Sequence, residues 1–346
     1  MKRWSGVFQL AAVYVGTIIG AGFATGREIV EFFTRFGFIG LIGILISGYL
    51  FIFLGSKIMV KAHEIKAVSY EQFNEYLFGK WFSKFMNILM MLMLLGVTAV
   101  MLSGAGAVFE EQLNMNKQTG VLLSIFLGLI VMAVGMKGLF AVNTLVVPAM
   151  IIFNISIMFA TIFKPEFLEA IMKIPHADDG WKAVISPFSY AAFNLAMAQA
   201  VLVPVAAEIK DIKTVKYGGI LGGVLLTIIL VSSHFTLVMI PHVTTYEIPM
   251  AVVMKSLAGS LYGIYIFIIF GEIFTSIIGG VFGLEKQLAN YWNGRRIFIT
   301  LGIFGFVYLL SFFEYSQLLS YLYPLFGYLS LLFIILLWMK PAETRL

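Results

Sequence analysis

The sequence predicts an all-α integral membrane protein: ten transmembrane helices in two inverted repeats of five, with the first and sixth helices discontinuous. Three observations carry this expectation. The 346 residues are 60% hydrophobic and only 12% charged, with a mean hydropathy of +0.96, whereas soluble domains carry about 25% charged residues. Windows of roughly 20 apolar residues, each long enough to cross a bilayer, recur along the chain. The first of them contains Gly16-Thr-Ile-Ile-Gly20-Ala-Gly22-Phe-Ala-Thr-Gly26-Arg27-Glu28. Glycine costs a helix about 1 kcal/mol relative to alanine, and a charge at bilayer depth costs about 2.5–3.5 kcal/mol. A span that keeps both is built to break inside the membrane, with its freed backbone groups lining a cavity.

Span 1 covers residues 7–34 and carries that break. Span 2, at 37–61, follows a tight join at Gly37. Residues 68–80 place Tyr70, Phe73, Leu77 and Phe78 at helical spacing and suit an interfacial helix on the inner surface. Spans 3, 4 and 5 are 82–108, 119–136 and 139–163, the last two joined at Gly138. Span 6, at 185–208, mixes Pro187, Asn194, Gln199 and Pro204 into an apolar run and ends at Glu208. Span 7 is 217–241, and residues 245–259 suit a short outer re-entrant or lid helix. Spans 8, 9 and 10 are 261–290, 297–313 and 318–339, with a tight join at Ser316-Gln317. Five is odd, so a second half of five spans starts from the opposite side. Repeat one then covers about 5–164 and repeat two about 183–340, within a single transmembrane domain over 1–346. Span 6 is the counterpart of span 1, and its Pro and Asn complete the signature of paired discontinuous helices.

Lysine and arginine set the orientation. With both termini inside, 16 of the 23 Lys and Arg residues face the cytoplasm, among them Lys57, Lys66, Lys137, Lys213 and Arg296. Six (Arg35, Lys117, Lys164, Lys173, Lys182 and Lys255) lie outside, and Arg27 is intramembrane. This bias places a multi-pass protein in the cell membrane with cytoplasmic termini. The first apolar run continues into Arg27-Glu28 without a small-residue cleavage site and is expected to be a retained span. The net charge of +5 sits in loops, where orientation signals belong, so it does not indicate nucleic acid.

Cysteine is absent, which excludes disulfides, thiolate metal sites and cysteine nucleophiles. No His pair has metal spacing and no Walker-type loop exists. No acid–base pair accompanies a nucleophile, so an enzyme is not expected, and neither is an organic cofactor or a transition metal. His234 in span 7 reads as a hydrogen-bonded core residue, with a relay as the alternative. The methionines at 86–103 read as lipid-facing or packing surface.

At these residues the chain resembles the amino acid–polyamine–organocation (APC) superfamily, which has the leucine-transporter fold. Gly16-Thr-Ile-Ile-Gly20-Ala-Gly22-Phe23 resembles the broken first helix of those transporters. Phe188-Ser-Tyr-Ala-Ala-Phe193-Asn194, with Ala207-Glu208-Ile-Lys210 after it, resembles their broken sixth helix. The stretch from Gly16 to Glu28 resembles YkvI-type bacterial membrane proteins. The resemblance implies a solute site lined by Gly20, Ala21, Gly22 and Phe23 from span 1 and by Phe188, Tyr190, Phe193 and Asn194 from span 6. It also implies a Na⁺ site made by the carbonyls of Gly16, Ile19 and Glu272 and the hydroxyls of Thr275 and Ser276. Residues 272, 275 and 276 share one helical face, and oxygen-only coordination suits a hard cation. The Glu272 side chain is unusual in this pattern, and a proton carrier is the alternative reading. Small-residue helix packing is the competing reading of the glycines.

Arg27 and Glu28, with Glu31 nearby and Glu314 as an external partner, read as an outer gate closed by ion pairing or as a structural charge cluster. The function expected is symport of a small solute, an amino acid or related amine, with Na⁺ favoured over H⁺ as coupling ion. Alternating access would rock spans 1, 2, 6 and 7 against spans 3, 4, 8 and 9. The alternative is a non-transporting receptor subunit that senses a solute. Expected partners are the solute and the lipid bilayer, not nucleic acid, and the sequence leaves the oligomeric state open.

Overall fold

A computed structural model of the chain describes residues 3–172, 180–246, 248–257, 262–289, 291, 295–312 and 315–339. Among these, the secondary structure is helical throughout. Helix α1 (Arg3–Ile18) ends in the glycine-rich stretch, and the chain resumes as two short helices, α2 (Ala21–Ala24) and α3 (Arg27–Phe32). The first span is therefore broken where its glycines predict. Helices α4 (Gly37–Leu50) and α5 (Ser56–Ile65) are joined by a π-helical turn, Phe51–Gly55. Tyr14 on α1 donates its hydroxyl to the Phe51 carbonyl at 2.9 Å, which satisfies an acceptor on that turn.

Helix α6 (Tyr70–Leu113) kinks at Gly79, so Tyr70–Phe78 forms a separate limb. That limb coincides with the interfacial helix expected at 68–80. Helices α7 (Lys117–Val134), α8 (Met136–Ile162) and α9 (Phe167–Met172) follow. The second half comprises α10 (Gly180–Glu208), α11 (Ile212–Leu237), α12 (Pro249–Leu257), α13 (Tyr262–Leu288), α14 (Arg296–Leu310) and α15 (Tyr315–Met339). Helix α12 is the short helix expected within 245–259. Seven helical segments among the described residues are long and apolar enough to cross a membrane, the first being the continuous run Arg27–Ile65, and two shorter helices are also apolar. Large apolar side chains such as Phe8, Leu45, Phe126, Leu145 and Phe306 stay exposed on their outer faces. Water would penalise such a surface, and lipid does not.

Two groups of helices organise the interior. Helices α10 and α11 each pack on α1, α4 and α5. In the other group, α6, α7, α13 and α14 pack pairwise on one another in every combination. These are the spans expected to form a moving bundle and a frame. Contacts of α1 and α10 with α13, and of α10 with α6, join the groups.

The sixth span departs from expectation. Helix α10 runs unbroken over 29 residues although Pro187 and Pro204 lie inside it. A proline removes one i→i−4 bond, and a membrane helix survives when neighbours satisfy the freed groups. Beside the first proline the helix is tied to its neighbours: the Ser47 hydroxyl donates to the Pro187 carbonyl at 2.9 Å, and Ser186 donates to the Phe32 carbonyl at 2.7 Å, although neither bond reaches the Ala183 carbonyl that Pro187 frees. Asn194 does not open the helix either, because its amide donates back to the Tyr190 carbonyl at 3.0 Å.

Candidate functional site

The break in the first span sets the site. A helix end leaves its last carbonyls without intrahelical donors. At the end of α1, the Ser276 hydroxyl of α13 donates to the Ile19 carbonyl and lies 3.4 Å from the Gly16 carbonyl. One residue earlier, Thr275 donates to the Glu272 carbonyl at 2.8 Å. Of the groups named from the sequence as an ion site, Ser276 therefore meets the Gly16 and Ile19 carbonyls where α13 meets α1, whereas the Thr275–Glu272 bond lies within α13. The donor set is oxygen only, and it fits a hard cation such as Na⁺. On its other side Gly16 lets α1 lie close against α8, since a Cβ there would lie 1.8 Å from Oδ1 of the buried Asn143.

Beside these groups lies a small cavity of about 40 Å³ between the two helix groups. Thr17, Gly20 and Glu28 line it from the first span, and Phe193, Asn194 and Met197 from α10. Thr98 and Met101 of α6 and Ser276, Gly279 and Gly280 of α13 close the other side. Of the expected solute-site residues, Gly20, Phe193 and Asn194 are here. Tyr190 is fully buried one step behind, against the rings of Phe32, Phe33 and Phe51 at 5.2, 4.9 and 5.9 Å. The Gly22 carbonyl accepts from Thr25 at 3.2 Å, within the turn that follows α2. The side chain of Ala21 and the residue Glu314 lie outside the described residues.

Three expectations are corrected. Phe188 is 40% exposed and does not line the cavity, because an unbroken α10 turns it away from Tyr190, Phe193 and Asn194. Phe23 faces a second, smaller cavity that also holds the Glu272 side chain, with Asn154 and Tyr265. Arg27 and Glu28 do not form a gate pair, since adjacent helical residues point about 100° apart. Arg27 turns outward and donates to the carbonyls of Thr244 and Tyr246 at 2.8 and 2.9 Å. Glu28 turns inward, 3% exposed, and its carboxyl faces Asn194 and Tyr190. Glu31 pairs with Arg35 at 2.7 Å. His234 contacts Thr34 at 3.1 Å in the core.

The two ends of the bundle differ. At one end, Arg27 holds the loop before α12, and the Met250 N–H of α12 donates to the Thr25 carbonyl at 3.0 Å. Gly26 makes the turn there with φ 81°, a left-handed conformation that suits glycine. At the other end a vestibule of about 1440 Å³ opens between α1, α8, α13 and the start of α11. Ion pairs flank it: Arg3–Asp211 at 3.1 Å, Lys286–Glu208 at 2.7 Å and Arg296–Glu285 at 4.0 Å. The Thr214 hydroxyl, chiefly, holds the exposed Asp211 carboxyl below the usual range, with help from the Lys213 N–H and Arg3.

Sequence reasoning missed Thr17, Thr98, Met101 and Met197 as cavity residues and gave Glu28 another role. Met197 could have been found, because it lies three and four residues after Asn194 and Phe193 on one helical face. Nothing in the sequence marked Met101 among the methionines of its helix.

No family model matches the chain. Over 338 residues it is 48% identical to the "Uncharacterized membrane protein YkvI" of Bacillus subtilis (strain 168), covering 97% of this chain and 96% of that protein. It is 23% identical over 344 residues to the "Uncharacterized protein YyaD" of the same organism, covering 99% of each. Among solved structures, MhsT in complex with L-phenylalanine superposes with a TM-score of 0.71 at 13% identity, covering 95% of this chain and 88% of that one. The Eremococcus coleocola manganese transporter, in complex with an aromatic bis-isothiourea compound, superposes with a TM-score of 0.62 at 13% identity, covering 97% and 79%. The chain therefore has the leucine-transporter fold.

Proposed function

This chain belongs to the family of the membrane protein YkvI, and from that premise we propose that it is a secondary active transporter of the APC superfamily. The cargo is a small solute, an amino acid or related amine, and Na⁺ is the coupling ion. The observation that carries this reading is the position of the cavity. It lies at the seam between the two helix groups, against a broken helix whose carbonyls meet Ser276. Rocking one group on the other would expose such a seam to each side in turn. The fold neighbours support the solute class in part, since one is solved with L-phenylalanine and the other is a manganese transporter; fold alone does not choose a substrate.

In this reading Gly16, Ile19, Glu272, Thr275 and Ser276 hold Na⁺ through oxygen atoms. The ion ties α1 of the moving group to α13 of the frame, so its binding biases the equilibrium between the two arrangements. Arg27 and the loop before α12 close the path at their end.

Uptake into proteoliposomes of a labelled amino acid mixture, driven separately by a Na⁺ gradient and a pH gradient, tests the proposal. Uptake should follow the Na⁺ gradient. Thr275→Ala and Ser276→Ala should each raise the Na⁺ concentration needed for half-maximal uptake. Full uptake by the double variant with Na⁺ as the sole gradient would exclude this ion site. Uptake driven by pH alone and made pH-independent by Glu272→Gln would assign coupling to the buried Glu272 carboxyl instead. Binding without flux under either gradient would identify a solute-sensing receptor.

A further inference from the structure

We propose that Glu28 is the counter-charge for a primary ammonium group on the solute, and that the central cavity is an acceptor-rich pocket built for that group. The inference deepens the transport reading and rests on it for the word solute, but its binding chemistry stands on the cavity alone. Glu28 contributes the only charged side chain among the residues lining the cavity. It is 3% exposed, and its Oε1 has no hydrogen-bond partner among the described residues. The cation next to it in sequence is committed elsewhere, because Arg27 donates to the Thr244 and Tyr246 carbonyls. An ionised carboxylate buried without a counter-charge is costly, and a bound cation relieves that cost.

The hydroxyls around the cavity give an independent argument. Thr17 donates its proton to the Val13 carbonyl at 2.7 Å, and Thr98 donates to the Leu94 carbonyl at 2.6 Å. Each hydroxyl has a single proton, so both turn only lone pairs toward the space they line. The Asn194 amide spends one N–H on the Tyr190 carbonyl at 3.0 Å and, with the Tyr190 hydroxyl, turns toward the Glu28 carboxyl, of which Oε1 stays without a partner. An ammonium group has three donors and no acceptor, and is the complement of such a lining. A carboxylate or phosphate would meet lone pairs and a like charge.

Size admits a headgroup. The cavity is about 40 Å³, above the roughly 10–15 Å³ that one water needs, so an ammonium centre fits. The rest of the solute would take space that Met101 and Met197 give up, and unbranched thioether side chains repack readily.

The test is equilibrium binding to the purified full chain at fixed Na⁺. The probes are the twenty common amino acids, putrescine and ethanolamine. For the tightest binder, its des-amino and N,N,N-trimethyl analogues are added. A cationic member of the panel should bind, and both analogues should bind at least tenfold more weakly, the first for lack of charge and the second for lack of N–H donors. Glu28→Gln should weaken the cationic probe by about tenfold or more. A melting temperature and helical circular dichroism close to the parent's would show that the variant is folded. Should Glu28→Gln fail to fold, Thr98→Val, which removes one acceptor without touching the charge, should weaken the probe severalfold. Equal affinity of the des-amino analogue overturns the proposal, as does unchanged affinity in Glu28→Gln or binding by no cationic probe. Retained affinity in Glu28→Gln with loss of pH-dependent uptake also overturns it, in favour of a proton carrier. Glu28-dependent binding without flux would instead sink the transport reading and leave this inference standing.

Discussion

At the scale of single residues, the site depends on close approaches that admit no substitute. Gly16 is the sharpest case, with Asn143 Oδ1 1.8 Å from where its Cβ would sit and Val147 Cγ2 at 3.2 Å. Asn143 cannot easily withdraw, because its amide donates to the Leu139 carbonyl at 2.8 Å. Gly16→Ala should therefore destabilise the protein by about 1–3 kcal/mol through overpacking, seen as a lower melting temperature in detergent. Adding Asn143→Ala should recover part of the loss, since the two positions share one contact. A single variant as stable as the parent would show that α1 and α8 can separate at no cost. The sequence revealed Gly16 as special but not why, because Asn143 lies 127 positions away. The directions of Arg27 and Glu28 were legible in principle, since neighbours on a helix cannot share a face. Phe188 was hidden by the assumption that α10 breaks.

At the scale of elements, composition foretold where helices lie better than where they fail. The same logic that located the break after α1 misread α10, since both carry residues that disfavour helix. The difference lies in what surrounds them. Glycine removes side-chain restraint and leaves backbone groups open to α13, whereas each proline of α10 is embedded among packed neighbours. Such surroundings are tertiary facts that local sequence does not encode. The short helix α12 was legible, and its fastening was not. Arg27→Ala removes two charge-assisted bonds to the preceding loop. Amide hydrogen exchange in α12 should then accelerate about tenfold or more. Unchanged exchange would mean that Met250 N–H to Thr25 and apolar contacts suffice to hold it.

At the scale of the molecule, the two packed groups make a prediction about motion. The chain contains no cysteine, so introduced pairs report without background. Thr17 on α1 and Gly279 on α13 belong to different groups, with Thr17 Oγ1 3.7 Å from where a Gly279 Cβ would sit. Gly106 on α6 and Val121 on α7 both belong to the frame and lie outside the cavity lining, with Val121 Cγ2 2.9 Å from where a Gly106 Cβ would sit. These separations suit disulfides after small shifts. Oxidation of a Thr17→Cys/Gly279→Cys protein should stop uptake and reduction should restore it. Oxidation of Gly106→Cys/Val121→Cys should leave uptake at its reduced level. Equal effects of the two cross-links would contradict rigid-group rocking. The helix order that supports these groups was readable from hydropathy, but which faces meet was not.

The fastening of α12 also has a statistical consequence. Opening that end breaks the two Arg27 bonds and the Met250–Thr25 bond together. With water as the competing partner, two charge-assisted bonds and one neutral bond sum to about 3.5–7.5 kcal/mol. On that scale the opened form is populated in roughly one molecule in 400 to one in 300,000. A ligand that enters only through the opened form then shows an apparent dissociation constant inflated by the same factor over its intrinsic one. Weak binding to the parent protein would thus report the rarity of the open state as much as the quality of the pocket.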